Sequence, residues 1–462
     1  MSQKRSVNPT ILNSQVVEVK LWGTTIGHLG YEPGQTEIAT FEYTEDFSNT
    51  GVQVAPLHMK SPTRLHRFPD ISRRTFRGLP GIIADSLPDK FGNQLIDLFM
   101  SEKNITPDSI TPLDRLLYVG TRGMGALEYH PAEPLLKDEN KGLALDVHTL
   151  AELATCVVSR DSTKREILHS AENRVQALNL IRVGSSAGGA RSKALIARSK
   201  DGLIKDGTEN CGVDHRYWLL KFDSENNQDR DEADPKGMTR VEFIYSKIAK
   251  DCKIDMPETD YMLDGDDFHF MIERFDLVKV AGQSKPNNPS QTKERLEKLH
   301  YASWCGINHA HRDTTGTFSY EQLVMTIKML GLGQSALTEI FKRAVFNIIG
   351  RNQDDHTKNF GFLMNKQGEW SLAPAFDLTY AYDPKGKWTR GHQIKLSGKQ
   401  SDFVRDDLLK FGLYCHLKNR SSNNIIDRTL VAFEKFESRA NQLEVSEKLL
   451  VTIKNNLRLN IK

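Results

Sequence analysis

Period-two alternation opens the chain. Val16-Val17-Glu18-Val19-Lys20-Leu21 runs into Trp22-Gly23-Thr24-Thr25 and on to Ile26-Gly27-His28-Leu29, which predicts a hairpin with a glycine-containing turn. Glu37 to Tyr43 predicts a third strand, so the first unit is β-rich. Further on the character changes. Gln94 to Met100, Leu113 to Val119 and a stretch from about Leu150 to Ser159 are expected as helices, the second running into a glycine-rich turn over Gly120–Gly125. Tyr217 to Phe222 reads as an apolar strand carrying Lys221 near its end. From Ser319 onward the period is helical, with Leu323, Ile327 and Leu330, and later Leu408 to Leu413. Two polar stretches, 223–234 and 281–290, have the composition of surface loops. The plan is an α+β protein: β-rich over 1–130, α/β over 131–280, mainly helical over 281–462.

Composition narrows the class. The 462 residues suit about three domains. With 62 Lys and Arg against 60 Asp and Glu, the net charge is +2, which argues against a surface that is a polyelectrolyte throughout. A local basic patch remains open, and Lys60, Arg64, Arg67, Arg73, Arg74 and Arg77 form one, with Asp70 the only acid among them. It reads either as a solvated face or as a contact for DNA, a tRNA-bearing substrate or an acidic partner. Cys156, Cys211, Cys252, Cys305 and Cys415 are scattered, with no CxxC pair, which suits a reducing cytosol and predicts a cytoplasmic protein. The segment MSQKRSVNPT is followed by no apolar signal core, and no run approaches membrane-spanning length, so no membrane role is expected.

Four segments carry chemistry. Val183-Gly184-Ser185-Ser186-Ala187-Gly188-Gly189-Ala190-Arg191-Ser192-Lys193 is a Gly/Ser loop before an apolar run, and backbone N–H groups in such a loop can approach phosphates closely. It lacks the Gly-Lys-[Ser/Thr] ending of a Walker A loop. Lys221 then sits on a strand about 30 residues downstream, in the layout of the phosphate-pairing strand lysine of protein kinases. Asp354 is followed five residues later by Asn359, the spacing at which a carboxylate orients an attacking hydroxyl while the amide oxygen reaches Mg²⁺. Asp377, in Ala375-Phe376-Asp377, follows Asn359 by 18 residues, where a second metal-binding carboxylate belongs. The plain readings are a Gly/Ser turn, a solvent-facing lysine, a polar turn and a helix N-cap. Their joint order favours phosphoryl transfer.

Across nearly its whole length the chain resembles the HipA family of serine/threonine kinases, toxins of bacterial type II toxin–antitoxin pairs. The resemblance rests on Leu87-Pro88-Asp89-Lys90-Phe91-Gly92-Asn93, on Leu116 to Leu127, on Ser186 to Lys193, on Phe270 to Asp276, and most specifically on Asp354 to Phe360. It implies a two-lobed protein-kinase-like fold with a β-rich N-terminal unit and a mostly helical C-terminal lobe. It implies ATP and Mg²⁺ as cofactors, Asp354 as catalytic base, and Asn359 and Asp377 as metal ligands. The nucleotide would meet Gly188, Gly189, Ala190, Arg191, Ser192, Lys193 and Lys221, a hinge at Glu273-Arg274-Phe275, and His356, Thr357, Lys358 and Phe376. Ser186 is similar to the serine such kinases autophosphorylate, although Ser185 beside it leaves the position open. The implied partners are a protein substrate such as an aminoacyl-tRNA synthetase, a small helix-turn-helix antitoxin, and DNA mainly through that antitoxin. Gly189-Ala190-Arg191-Ser192 departs from the loop of familiar members.

Other readings compete. His309-Ala310-His311-Arg312-Asp313 has the look of a metal-hydrolase fragment, against a simple loop between helices. A pseudokinase, or a non-enzymatic co-repressor working with the antitoxin, would keep the fold without the chemistry.

Overall fold

Val17, Val19 and Leu21 are fully buried while Glu18 and Lys20 look outward, so the opening alternation becomes the inner face of a sheet. The computed structural model describes residues 16–35, 37–61, 63–101, 103–132, 144–158, 174–184, 191–223, 235–281 and 294–461. Strands β1 (Val16–Leu21) and β2 (Thr24–Tyr31) form the hairpin, turning at Trp22 and Gly23 with φ 52° and 80°. With β3 (Ala39–Tyr43), β4 (Leu65–Arg67) and β5 (Leu127–His130) they make an antiparallel sheet ordered β4-β3-β2-β1-β5. This unit also carries the helices Arg73–Phe76, Gly81–Ala84, Lys90–Ser101 and Pro112–Val119.

The second sheet is ordered β7-β6-β8-β10-β9, from β6 (Lys193–Arg198), β7 (Ile204–Asp206), β8 (Arg216–Lys221), β9 (Thr259–Asp264) and β10 (Asp267–Glu273). The helix Met238–Asp251 lies between β8 and β9 in sequence and packs on β10. β11 (Leu277–Ala281) and β12 (Glu294–Lys298) form a hairpin that leads into the second lobe. There β13 (His300–Ser303), β14 (Gly361–Met364) and β15 (Trp370–Leu372) make a small sheet among helices that include Tyr320–Met329, Gln334–Ile349, Arg405–Tyr414 and Asn419–Glu434. A five-stranded antiparallel sheet with one packed helix, above a mainly helical lobe, is a two-lobed kinase-like plan, and the expected fold class holds.

Burial divides differently from the order along the chain. One core joins the first sheet, the helix Met238–Asp251 and the C-terminal helices. A second core joins the second sheet to the helices Lys90–Ser101, Val147–Val158 and Arg174–Gly184. The helix Lys90–Ser101, early in the sequence, therefore belongs by packing to the middle lobe: Phe91, Leu95 and Ile96 share that core with Leu150, Leu180 and Trp218. Of the two polar insertions, 224–234 and 282–290 fall outside the described residues. No helix among those described is long and apolar enough to cross a membrane.

Candidate active site

Strand register brings two lysines together. Lys193 opens β6 and pairs across the sheet with Lys221 at the end of β8. Both ammonium groups are buried, so each needs an anion. Lys221 donates to Glu242 Oε1 at 2.5 Å and to Asp377 Oδ1. Lys193 donates to Asp89 Oδ2 at 3.0 Å. Burial pulls the Lys221 ammonium down, but the charges of Asp377 and Glu242 outweigh it and its pKa ends above the usual value. Burial likewise pushes Asp377 up, and Lys221 reverses this, leaving the carboxyl below the ordinary range. In the Lys193–Asp89 pair burial prevails, lowering the lysine and raising the acid.

Glu242 and Asp89 escaped sequence reasoning. Glu242 stands on the inward stripe of its helix with Met238, Val241, Tyr245 and Ile248, and is 1% exposed. A carboxylate at a core position of an amphipathic helix was the available signal. Asp89 lies in the Leu87–Asn93 stretch, whose oxygen Oδ1 also accepts the Gly92 N–H at 2.8 Å. Just before it, Asp85 accepts the Ser303 N–H and Oγ–H, both at 2.7 Å, in the other lobe, and its carboxyl feels the Lys358 charge. The stretch 85–93 thus touches both lobes.

The loop from Asp354 to Asn359 follows the helix Gln334–Ile349. Asp354 is half-buried, and its Oδ1 accepts the Gln393 Nε2–H at 2.6 Å. Asp355 is fully buried as a structural knot: it accepts from Tyr320 Oη (2.9 Å) and the Gln393 N–H (2.8 Å), and meets His392 Nδ1 (2.8 Å). Asn359 Nδ2 donates to the Asp354 carbonyl at 2.8 Å, leaving its amide oxygen without a donor among the described residues. Asp377, in the left-handed region at φ 53°, keeps Oδ2 free of any such donor. Burial pulls the His356 pKa down, against the charges of Asp354 and Asp377, which pull it up. Thr357 Oγ1 donates to the Ala310 carbonyl at 2.6 Å and braces the loop.

The remaining expected residues separate. Phe275 stacks on Phe376, with centroids 5.6 Å apart and planes at 27°. The neighbouring hinge side chains are engaged elsewhere: Glu273 pairs with Arg216 at 2.6 Å on the surface, and Arg274 is buried in a bidentate contact with Asp276 at 3.0 and 2.8 Å. Arg191 reaches Glu242 at 3.7 Å, and the Ser192 carbonyl accepts the Phe222 N–H at 3.1 Å. Ser185, Ser186, Gly188, Gly189 and Ala190 lie outside the described residues. His309 accepts the Gly81 N–H at 3.3 Å and stacks on His58 at 4.3 Å, so it is a packing residue, and no group of three or more metal-binding side chains occurs among the described residues. The basic run is divided: Arg64, Arg67 and Arg73 pair with Glu42, Glu32 and Glu37.

The donor set fits Mg²⁺, which takes one or two carboxylate or amide oxygens and completes its shell with water and phosphates. Asp377 Oδ2 and the Asn359 amide oxygen are the oxygens on offer.

Among solved structures, the chain is similar to HipA in the toxin–antitoxin complex of Shewanella oneidensis MR-1 HipA, HipB and operator DNA. Identity is 15%, coverage is 96% of this chain and 95% of that one, and the TM-score is 0.63, which shows a shared fold. The Helicobacter pylori proinflammatory kinase CtkA overlaps only slightly: TM-score 0.27 and 11% identity over 52% of this chain and 92% of that one. No match appears among curated proteins. The HipA N-terminal domain model covers residues 17–130 and the HipA-like C-terminal domain model covers residues 185–436, more than half the chain by itself. The chain therefore belongs to the HipA family.

Proposed function

We propose that this protein is a toxin kinase that transfers the γ-phosphoryl group of ATP to a serine or threonine hydroxyl of a protein. The carrying observation is the buried bridge Glu242–Lys221–Asp377, facing a catalytic loop in which Asp354 and Asn359 are held five residues apart. A strand lysine tied to a helix glutamate, with a metal-binding aspartate in reach, is the arrangement that phosphoryl transfer by positioning requires.

Lys221 and Lys193 would hold phosphate oxygens from one side. Phe275 and Phe376 offer an apolar platform for the base. Asn359 and Asp377 would hold Mg²⁺, which when bound neutralises phosphate charge. Asp354, steadied by Gln393, orients the acceptor hydroxyl and takes its proton as the oxygen attacks. Autophosphorylation at Ser186 would place roughly two negative charges in the phosphate loop and repel ATP. A translation component such as an aminoacyl-tRNA synthetase is the proposed target class. A small helix-turn-helix antitoxin is the proposed partner, as HipB accompanies HipA in the Shewanella complex, with DNA reached through it.

The test is transfer of label from γ-labelled ATP into a cell lysate, with Asp354→Asn as control. Loss of transfer by at least about a thousandfold is expected, with an unchanged melting temperature. Full activity in the variant would overturn the assignment.

A further inference from the structure

Beside the catalytic loop lies a rim of charge that the fold leaves unpaired. From Asp377 the chain runs alongside the loop, bridging Asn352 to Ala381 and accepting the Gln353 N–H at the Ala381 carbonyl (3.2 Å). It swings out over 383–391 and returns at Gln393, which holds Asp354. Both ends of this excursion are thus fastened to the catalytic loop. Its exposed residues Lys385, Lys387 and Arg390 have no carboxylate partner among the described residues.

Two more elements reach the same rim. Lys387 and Arg74 sit over the Trp388 ring, 5.1 and 5.7 Å from its centroid. Arg74 lies in the helix Arg73–Phe76, and exposed Arg77 caps it. Ser72 and Thr75 of that helix grip Asp313, and Thr75 Oγ1 accepts the Arg312 N–H at 3.3 Å, which brings exposed Arg312 alongside. The Arg312 charge bears on His356 and on Asp89 at the site itself. Arg74, Arg77, Arg312, Lys385, Lys387 and Arg390 are therefore six exposed cations, none ion-paired among the described residues.

Resting on the kinase reading, we propose that this rim docks the acceptor segment of the protein substrate, and that the segment is acidic, with Asp or Glu flanking the phosphorylated hydroxyl. The charge is complementary, and the loop's two anchors, at Ala381 and Gln393, set it beside Asp354. Nucleic acid fits less well. Single strands bind by stacking on open aromatic faces, and Trp388, the aromatic ring of this loop, is already occupied by Arg74 and Lys387.

The test uses the full-length protein and fluorescence anisotropy with three twelve-residue probes: a serine peptide rich in Glu, the same peptide with Gln for Glu, and a single-stranded RNA. The Glu peptide should bind at least about tenfold tighter than the Gln peptide at 50 mM salt, weakening as salt rises. The triple variant Lys385→Ser, Lys387→Ser, Arg390→Ser should lose that preference, and Arg312→Ser alone should lose part of it. Equal binding of both peptides, or an unchanged preference in the triple variant, would overturn the proposal. So would RNA binding tighter than the Glu peptide and abolished by the same substitutions. Binding is read without turnover, so the two readings part cleanly: docking that holds while labelled ATP passes phosphate to no protein of the lysate defeats the kinase assignment alone.

Discussion

Gln393 is fastened at three points. Its N–H donates to Asp355 at 2.8 Å, its carbonyl accepts the Gly316 N–H at 2.7 Å, and its side-chain amide reaches Asp354 at 2.6 Å. A backbone pinned on both sides delivers one N–H to one carboxylate oxygen, which leaves the other for the acceptor hydroxyl of the proposed transfer. A hydrogen bond to a charged group contributes about 1.5–3 kcal/mol. Gln393→Leu keeps the shape and removes the donor, so kcat should fall about ten- to a hundredfold, with KM for ATP and thermal stability unchanged. Steady-state kinetics over a range of ATP concentrations decides it; a rise in KM at constant kcat would speak for nucleotide binding instead. Lys221, Asp354, Asn359 and Asp377 stand out in the sequence by their types and order, and the fold sets Lys221 against Asp377 and Asn359 against the Asp354 carbonyl. The other partners were not legible there. Gln393 lies 39 residues from Asp354, Asp89 lies 104 from Lys193, and Asp85 lies 218 from Ser303. Only folding decides which distant carboxylate or amide meets which charge.

At the level of elements, strand and helix types followed the hydrophobic period well. The hairpin at 16–31, the helix containing 94–100 and the helix from 320 lie where the pattern put them, with ends shifted by a few residues. Contacts between elements were invisible to it. The helices Gly81–Ala84 and Trp304–Asn308 approach so closely that glycine faces glycine: a Cβ on Gly306 would strike the Asp85 carboxylate and the Gly81 carbonyl. Gly306 is buried in a helix, where alanine would otherwise be favoured by about 1 kcal/mol. Here Gly306→Ala should instead destabilise by about 1–3 kcal/mol, because the Asp85 carboxylate it strikes first is held by Ser303 and the Gly81 carbonyl beside it is backbone. Chemical denaturation would show it, and a stabilised variant would refute the close-approach account.

For the whole molecule, the seam between the N-terminal unit and the C-terminal lobe holds one buried histidine, His300, and one half-buried, His309. His300 meets the Val54 carbonyl at 3.0 Å, and burial drives its pKa down to about 4. His309 packs among His58, Phe68 and Phe76, and burial together with His58 lowers it to about 3. The unfolded chain takes up these protons near pH 6.5, while the folded imidazoles stay neutral. Their contribution to stability is therefore whole above pH 6.5 and is lost as pH falls below it, at about 1.4 kcal/mol per pH unit for each histidine, levelling off past the folded values. Unfolding free energies measured between pH 7.5 and 4.5 should show this slope, and His309→Phe should reduce it; an identical slope in the variant would place the acid sensitivity elsewhere.

The stretch 85–93 bears on how freely the lobes can move against each other. Asp85 is bonded to Ser303 in one lobe and Asp89 to Lys193 in the other, both from the N-terminal unit. Any shift of one lobe against the other therefore either breaks one of these buried bonds or drags the 85–93 stretch along with it.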